Sequence, residues 1–318
     1  MKVLSTRAEL PGDGLARLAA EVEVRRWDGT GALAGFAADV DGILCLGNDR
    51  VDAALLDAAG PSLKVVSLAS MGFDGVDRHA AQAKGVVVTH TPGVLAETTA
   101  DLAFSLILMA RRRLVPARES LYAGGWDVFR MDDYLGLDVH GATLGLVGYG
   151  QIGRAVARRA AGFGMRVLHH DPLATDDSLS TPVDLPVLLA AADIVSLHVP
   201  LTPATRHLIG AAELRAMKPT ATLVNTSRGG VVDEAALLGA LREGVIHSAG
   251  LDVFEREPRG RDVDDLVGQS RLVALPHVGS ATEATRAAMV DLAVDNLLEV
   301  LSGRPARTPL PGTAAVPR

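Results

Sequence analysis

The sequence predicts an α/β protein built on two doubly wound parallel sheets, and three observations point there. Short β-branched runs alternate with Ala/Leu-rich periodic stretches from end to end, as βα units do. Runs such as Leu63-Lys64-Val65-Val66-Ser67-Leu68 are almost continuously apolar, which suits strands covered on both faces. The length, 318 residues, is that of about two domains at roughly 150 residues each.

In chain order, residues 22–24, 42–46, 63–68 and 85–89 read as strands of a first series, with helical patterns at 15–20, 53–59 and 76–83 between them. A long helical pattern covers 99–113. A second series follows, with strands at 143–147, 165–169, 193–198, 221–225, 249–253 and 272–275. Its helical patterns cover 152–161, 187–191, 211–216 and 234–242. A last helix, 285–301, comes after the second series has ended, so a chain that crosses back would return it to the first domain. The expected organisation is therefore residues 1–95 plus 285–318 as one discontinuous domain and 96–284 as the other. The stretch after Gly303 carries Pro305, Pro309, Pro311 and Pro317 and is expected to trail as a loose tail.

Composition excludes several classes. Hydrophobic residues at 48% with charged residues at 22% leave no room for long disorder. Lys+Arg 31 against Asp+Glu 38 gives a net charge of −7, which argues against nucleic acid as a partner. Cys45 is the single cysteine, so intramolecular disulfides and cysteine-based metal sites are out, and in an apolar strand it reads as an inert core residue. The first ten residues contain no apolar leader, and the longest apolar helical run, 102–110, is too short to span a bilayer. The expectation is a soluble, cytoplasmic protein with no metal and no membrane partner. His169 and His170 lack a third donor at metal spacing and read as packing residues. Arg111-Arg112-Arg113 closes a helical pattern, where cations suit the dipole, and reads as a solvated end.

The strongest local signal is Gly148-Tyr149-Gly150-Gln151-Ile152-Gly153, which follows a strand and opens a helix. Gly148 permits the tight turn, Gly150 lets a pyrophosphate approach the backbone, and Gly153 allows close helix–strand packing. The helix start at Gln151 and Ile152 offers free N–H groups to an anion. The next strand leads to Asp171, 171 − 148 = 23 residues after the first glycine, where an acid accepts hydrogen bonds from ribose hydroxyls. A 2′-phosphate would be repelled there, so NAD is favoured over NADP. This motif makes the expected domains Rossmann/flavodoxin-like.

A longer pattern then becomes legible. The run 200–210, Pro-Leu-Thr-Pro-Ala-Thr-Arg-His-Leu-Ile-Gly, is followed by Met217-Lys218-Pro219 and by 224–233, Val-Asn-Thr-Ser-Arg-Gly-Gly-Val-Val-Asp. Next come 250–258, Gly-Leu-Asp-Val-Phe-Glu-Arg-Glu-Pro, and Pro276-His277-Val278-Gly279-Ser280. In this order the blocks closely resemble the D-isomer-specific 2-hydroxyacid dehydrogenases over nearly the whole chain. The resemblance implies two domains with a catalytic cleft between them, and hydride transfer between NAD and small 2-oxo or D-2-hydroxy acids.

By motif, Arg228, Glu257 and His277 match the family's catalytic Arg, Glu and His. Arg228 would hold the carboxylate and carbonyl oxygens, and His277 would donate the proton. Glu257 would orient the imidazole and favour its charged form. Taken singly, each reads as an ordinary surface or structural residue; the ordered blocks together carry the assignment. Ser70, Met71 and Gly72 match the substrate loop, with Met71 and Gly72 N–H groups as a small anion nest. Thr99, Val199, Pro200, Thr205, Thr226, Asp252 and Gly279, with Arg228 and His277, match the cofactor lining. For Thr99 and Thr205, ordinary helix capping is the alternative.

The Ser-x-Gly form of the loop and the segment 91–101 resemble the glyoxylate/hydroxypyruvate reductases. Alternatives within the pattern are 3-phosphoglycerate and phosphite dehydrogenase-like enzymes. A nucleotide-sensing binding protein is the alternative from another class. Family members are usually dimers through the helical region after Thr99, so a homodimer is expected, with 126–135 helping to set substrate choice.

Overall fold

The computed structural model describes residues 1–174, 177–259 and 265–313. The chain divides into two compact units, Met1–Leu95 with the segment from Ser280 onward, and Ala96–Gly279. Both are α/β units on parallel sheets.

The first unit runs β1 (Lys2–Ser5), α1 (Gly14–Glu21), β2 (Glu23–Arg26), α2 (Leu33–Phe36), β3 (Gly42–Cys45), α3 (Ala53–Ala59), β4 (Val65–Leu68), α4 (Arg78–Ala83) and β5 (Val87–Thr89). The strands pair in parallel in the order β2-β1-β3-β4-β5. Every residue of β3 and β4 is buried. Alternate side chains explain why both faces are apolar: Ile43, Cys45, Val66 and Leu68 pack with Leu55, Leu56 and Ala81, while Leu44 and Val65 pack with Leu15, Leu18, Val294 and Leu297. Periodicity misses β1, although it lies between β2 and β3. Its buried run, Val3-Leu4-Ser5, is too short to read beside the charged Lys2 and Arg7.

The second unit runs α5 (Ala96–Arg111), α6 (Leu114–Tyr122), β6 (Thr143–Val147), α7 (Gln151–Ala161), β7 (Arg166–His170), β8 (Thr181–Pro182), α8 (Leu185–Ala191), β9 (Ile194–Leu197), α9 (Ala211–Ala216), β10 (Thr222–Asn225), α10 (Glu234–Glu243), β11 (Ser248–Leu251) and β12 (Leu272–Ala274). Its strands are also all parallel, in the order β12-β11-β10-β9-β6-β7-β8. β6 therefore has β7 on one side and β9 on the other, the switch point at which ligands bind in such sheets. α5 packs on β11 so closely that a Cβ at Gly250 would come 3.0 Å from Leu106 Cβ.

The last helix, α11 (Glu283–Leu301), belongs to the first unit. It lies against β3, β4 and α1, and Ser67 Oγ donates to its Ala293 carbonyl. Thr282 caps it through the Thr285 amide, so it begins before the apolar pattern does.

Three expectations need correction. The segment after Gly303 is not a loose tail as far as residue 313. Leu310 donates to Val88, His90 donates to Thr308, and the buried Asn296 bonds Thr308 through both ends of its amide. Pro317 lies outside the described residues. Arg111 is not a solvated end either. It is 5% exposed, and its guanidinium donates to the carbonyls of Asp138, Asp193 and Thr220. α8 starts at Leu185 rather than 187, with Pro186 in its first turn, where a missing N–H costs nothing. Cys45 and His169 are core residues, each 1% exposed. Burial pushes the Cys45 thiol far up. His169 stacks on Tyr149 at 4.1 Å.

Candidate active site

The turn after β6 is shaped by its glycines. Gly148 has φ 95°, and a Cβ there would sit 2.6 Å from the His198 carbonyl group. A Cβ at Gly153 would strike the Gly148 carbonyl oxygen at 2.3 Å, so only glycine allows α7 to start this close to the strand. Gly150, the N-cap of α7, has open space where a side chain would be. That open face beside the helix start at Gln151 and Ile152 leaves room for a phosphate group.

Asp171 follows β7, as expected, and its carboxylate is already in use. Oδ2 accepts from the Tyr149 N–H at 2.8 Å and Oδ1 from the Leu173 N–H at 2.9 Å. Each oxygen keeps a further acceptor site. The carboxylate thus ties the glycine turn to the end of the next strand.

The other predicted lining residues follow the next strands along the sheet. Val199 and Pro200 come after β9, beside His198, whose ring burial pushes down to about 4. Thr226 follows β10, and its Oγ1 is buried with no hydrogen-bond partner among the described residues. An orphaned hydroxyl at this edge and the open face at Gly150 both fit a dinucleotide. Asp252 follows β11, but its carboxylate turns inward. It accepts from the Val278 and Gly279 N–H groups at 2.7 and 2.8 Å. Burial pushes its carboxyl up, against those bonds and the charge of His277. Thr99 donates to the Gly279 carbonyl at 3.2 Å. Thr205 donates to Pro200 and accepts from the Thr202 amide, a local turn bond.

Arg228, Glu257 and His277 are placed by three separate devices. Asn225, at the end of β10, donates to the Arg228 carbonyl and accepts from both the N–H and hydroxyl of Ser227. The next residue can only be glycine, since a Cβ at Gly229 would lie 1.8 Å from the Phe254 carbonyl carbon. Glu257 folds back so that Oε1 accepts from the Phe254 N–H at 2.7 Å, and its bond to Pro258 is cis. His277 sits in a left-handed conformation, φ 54°, with its N–H on the Asp252 carbonyl.

The result is a direct contact: His277 Nδ1 lies 2.6 Å from Glu257 Oε2. Burial pushes the Glu257 carboxyl up, but the His277 bond, the Phe254 amide and the charges of His277 and Arg228 outweigh it, and the net shift is downward. The carboxylate is therefore an anion across the neutral range. The Nδ1 contact leaves His277 Nε2 as the ring position open to a ligand. Its partner Glu257, with Arg228, Arg206 and Leu201, lines a cavity of about 260 Å³. Arg206 was not singled out by sequence reasoning, although it stands within the 200–210 block. Arg228 in this cavity can bind a carboxylate, and His277, held by Glu257, can pass a proton to an oxygen brought to it.

Ser70, Met71 and Gly72 lie in the first unit, just after β4. Ser70 Oγ donates to the Gly72 carbonyl at 2.7 Å, and the Met71 carbonyl contacts His90 Nδ1 at 3.0 Å. Among the described residues the Met71 and Gly72 N–H groups have no partner.

A switch-point glycine turn, an acid after the second strand and a His–Glu pair define a dinucleotide-dependent oxidoreductase. Residues 104–279 match the family model for the NAD-binding domain of the D-isomer-specific 2-hydroxyacid dehydrogenases. The chain is 45% identical over 312 residues to a glyoxylate reductase of Korarchaeum cryptofilum, covering 95% of this chain and 93% of that one. A Thermus thermophilus protein of solved structure superposes with a TM-score of 0.92 at 43% identity, covering 98% and 100%. An NADPH-dependent glyoxylate/hydroxypyruvate reductase from Sinorhizobium meliloti, solved with NADP and malonate, superposes at 0.88 with 36% identity, covering 100% and 98%. The chain belongs to the D-isomer-specific 2-hydroxyacid dehydrogenase family and is an NAD-binding oxidoreductase. Among the described residues there is no metal-binding cluster, and no helix is long and apolar enough to cross a membrane.

Proposed function

We propose that this protein is an NADH-dependent reductase of glyoxylate and hydroxypyruvate. The observation that carries the reading is the 2.6 Å contact between His277 and Glu257 with Arg228 beside it. Bound NADH supplies the hydride that reaches C2 of the 2-oxo acid. Arg228 offers its guanidinium to the carboxylate and carbonyl oxygens, where charge develops as the carbonyl is reduced. His277 gives the carbonyl oxygen a proton from Nε2, a step typically worth about 10²–10⁴-fold. Glu257 holds Nδ1, which fixes the ring and stabilises its charged form. In the first unit, taken by itself, the Met71 and Gly72 N–H groups form a small anion nest.

The cofactor reading assigns the pyrophosphate to Gly148, Gly150, Gln151, Ile152 and Gly153 and the ribose hydroxyls to Asp171. Val199, Pro200, Thr205, Thr226, Asp252, Gly279 and Thr99 complete the lining. Thr226 contributes a hydroxyl that nothing else satisfies. The fixed anion at Asp171 favours NADH, although the Sinorhizobium relative uses NADPH. The small substrates are supported by the names of the similar reductases and by the Ser-x-Gly loop.

The reading includes a cytoplasmic homodimer. Apolar side chains on α6 and after it lie open, with Phe129 73% and Met131 82% exposed. Such a run is an interaction surface. It lies beyond α5, whose own apolar residues are buried in its unit. The deciding experiment is NADH oxidation measured with glyoxylate, hydroxypyruvate, pyruvate and bulkier 2-oxo acids. Turnover of the first two should exceed the rest, and absence of turnover with all of them refutes the reading.

A further inference from the structure

A second concave site lies in the same unit, at the other end of its sheet. Its volume is about 50 Å³, and Met109, Arg113, His247, Ser248, Ser270 and Arg271 line it. His247 and Arg271 stand immediately before β11 and β12, so the pocket sits where the strands begin. Gly148, Asp171, Thr226, Asp252 and His277 all follow strand ends, on the opposite edge.

Two polar atoms here are buried with no partner among the described residues, Arg113 Nε and His247 Nε2. No ion pair among the described residues engages Arg113 or Arg271. Burial, then the charges of Arg111, Arg271 and Arg113, hold the His247 imidazole below its ordinary range. Arg111 is already spent on three carbonyls. Arg113 and Arg271 are therefore cations that line a small cavity with no counter-charge among the described residues. The backbone at Arg113 is left-handed, φ 52°, where glycine or asparagine would be relaxed. That turn aims the side chain from the N-cap of α6, which has no side-chain cap of its own.

We propose that this pocket binds a tetrahedral oxyanion of the phosphate class, held by Arg113 and Arg271 with His247 and the Ser270 hydroxyl. Arginine forks suit tetrahedral oxyanions, the unpaired Arg113 Nε–H gains an acceptor, and His247 Nε2 gains a donor in a phosphate hydroxyl. The size agrees. One water needs roughly 10–15 Å³ of such space, so about 50 Å³ takes a four-oxygen ion and excludes a whole nucleotide. The ion would tie the junction of α5 and α6 to the entries of β11 and β12. Because it binds only the folded unit, it would raise thermal stability.

The test uses the NAD-saturated enzyme, so that the glycine turn is already filled. Thermal unfolding is followed while sodium phosphate replaces sodium chloride at constant ionic strength. The wild-type melting temperature should rise and saturate. Arg113→Gln and Arg271→Gln should each weaken the apparent affinity roughly tenfold or more. Ser270→Asp, an exposed site that keeps both arginines, should remove the response by placing a carboxylate against them. NADH binding, read by fluorescence, should be unchanged in all three. A phosphate response that is absent in wild type, or equal in wild type and variants, overturns the proposal. So does an Arg113→Gln protein that changes its assembly state by light scattering yet keeps the phosphate response, because Arg113 then serves a subunit contact.

Discussion

Replacing Glu257 by glutamine separates electrostatics from shape at the proposed proton donor. The amide keeps the size of the carboxylate, and its oxygen can still accept from the Phe254 N–H. What is lost is the anion 2.6 Å from His277 Nδ1. Two unit charges about 4 Å apart attract by roughly 1 kcal/mol in water and roughly 4 kcal/mol at an effective dielectric of 20. The His277 side chain is 49% exposed and that of Glu257 25%, so the lower half of that range applies. A loss of about 1.4 kcal/mol is a tenfold change in rate.

Reduction needs the protonated ring, and the anion stabilises that form. Glu257→Gln should therefore lower kcat/KM for the 2-oxo acid about tenfold, with NADH affinity unchanged. The assay is steady-state reduction across pH at saturating NADH. Glu257 is held below the ordinary carboxylate range, so wild type keeps its anion down to mildly acidic pH. The same depression contributes stability that is present above the unfolded carboxylate range and lost as pH falls through the folded value. A merely structural glutamate would be replaced by glutamine with little loss, since the amide keeps the shape and the Phe254 bond. A kcat/KM within about twofold of wild type refutes the reasoning.

Other outcomes follow from the same geometry. Wild type should prefer NADH to NADPH by at least about tenfold in kcat/KM, roughly 1.4 kcal/mol, and Asp171→Ala should erase the preference; comparable wild-type efficiencies count against the assignment. Gly229→Ala puts a Cβ 1.8 Å from the Phe254 carbonyl carbon, so urea unfolding should show a loss of about 3 kcal/mol or more, or no folded protein. Asn296→Ala removes both bonds to Thr308 and should cost about 1–3 kcal/mol without changing NADH affinity. Phe129→Glu combined with Met131→Glu should give a monomer by light scattering, and a dimer that persists at micromolar concentration argues against that surface.

Much of the fold was legible because both sheets are buried on both faces. The runs at β3, β4, β6 and β9 carry at most one polar residue each, β10 is buried throughout, and no solvent-facing alternation dilutes them. What escaped was short or locally polar. β1 has three buried residues, β8 has two residues and both are exposed, and α6 has no buried residue at all. The segment after Gly303 reads as a proline-rich tail. Its attachment depends on the buried amide of Asn296 in the middle of α11, which no local pattern announces.

The candidate site was legible for a topological reason. In a parallel sheet every strand ends at the same edge, so blocks far apart in sequence become neighbours if each directly follows a strand. Gly148, Asp171, Val199, Thr226, Asp252 and His277 follow β6, β7, β9, β10, β11 and β12 in turn. Strand prediction and motif spacing therefore place the cluster before any contact is known. Hydrogen-bond direction cannot be obtained in this way. Asp252 reads as a cofactor-lining residue, and one acceptor site on each of its oxygens goes to the amides of Val278 and Gly279. It acts on the site by fixing the turn that carries His277. Asp171 likewise holds the glycine turn it was expected only to face. The opposite edge carries no motif, since Arg113, His247 and Arg271 come from three unrelated stretches. Only the folded sheet brings their charges into one pocket.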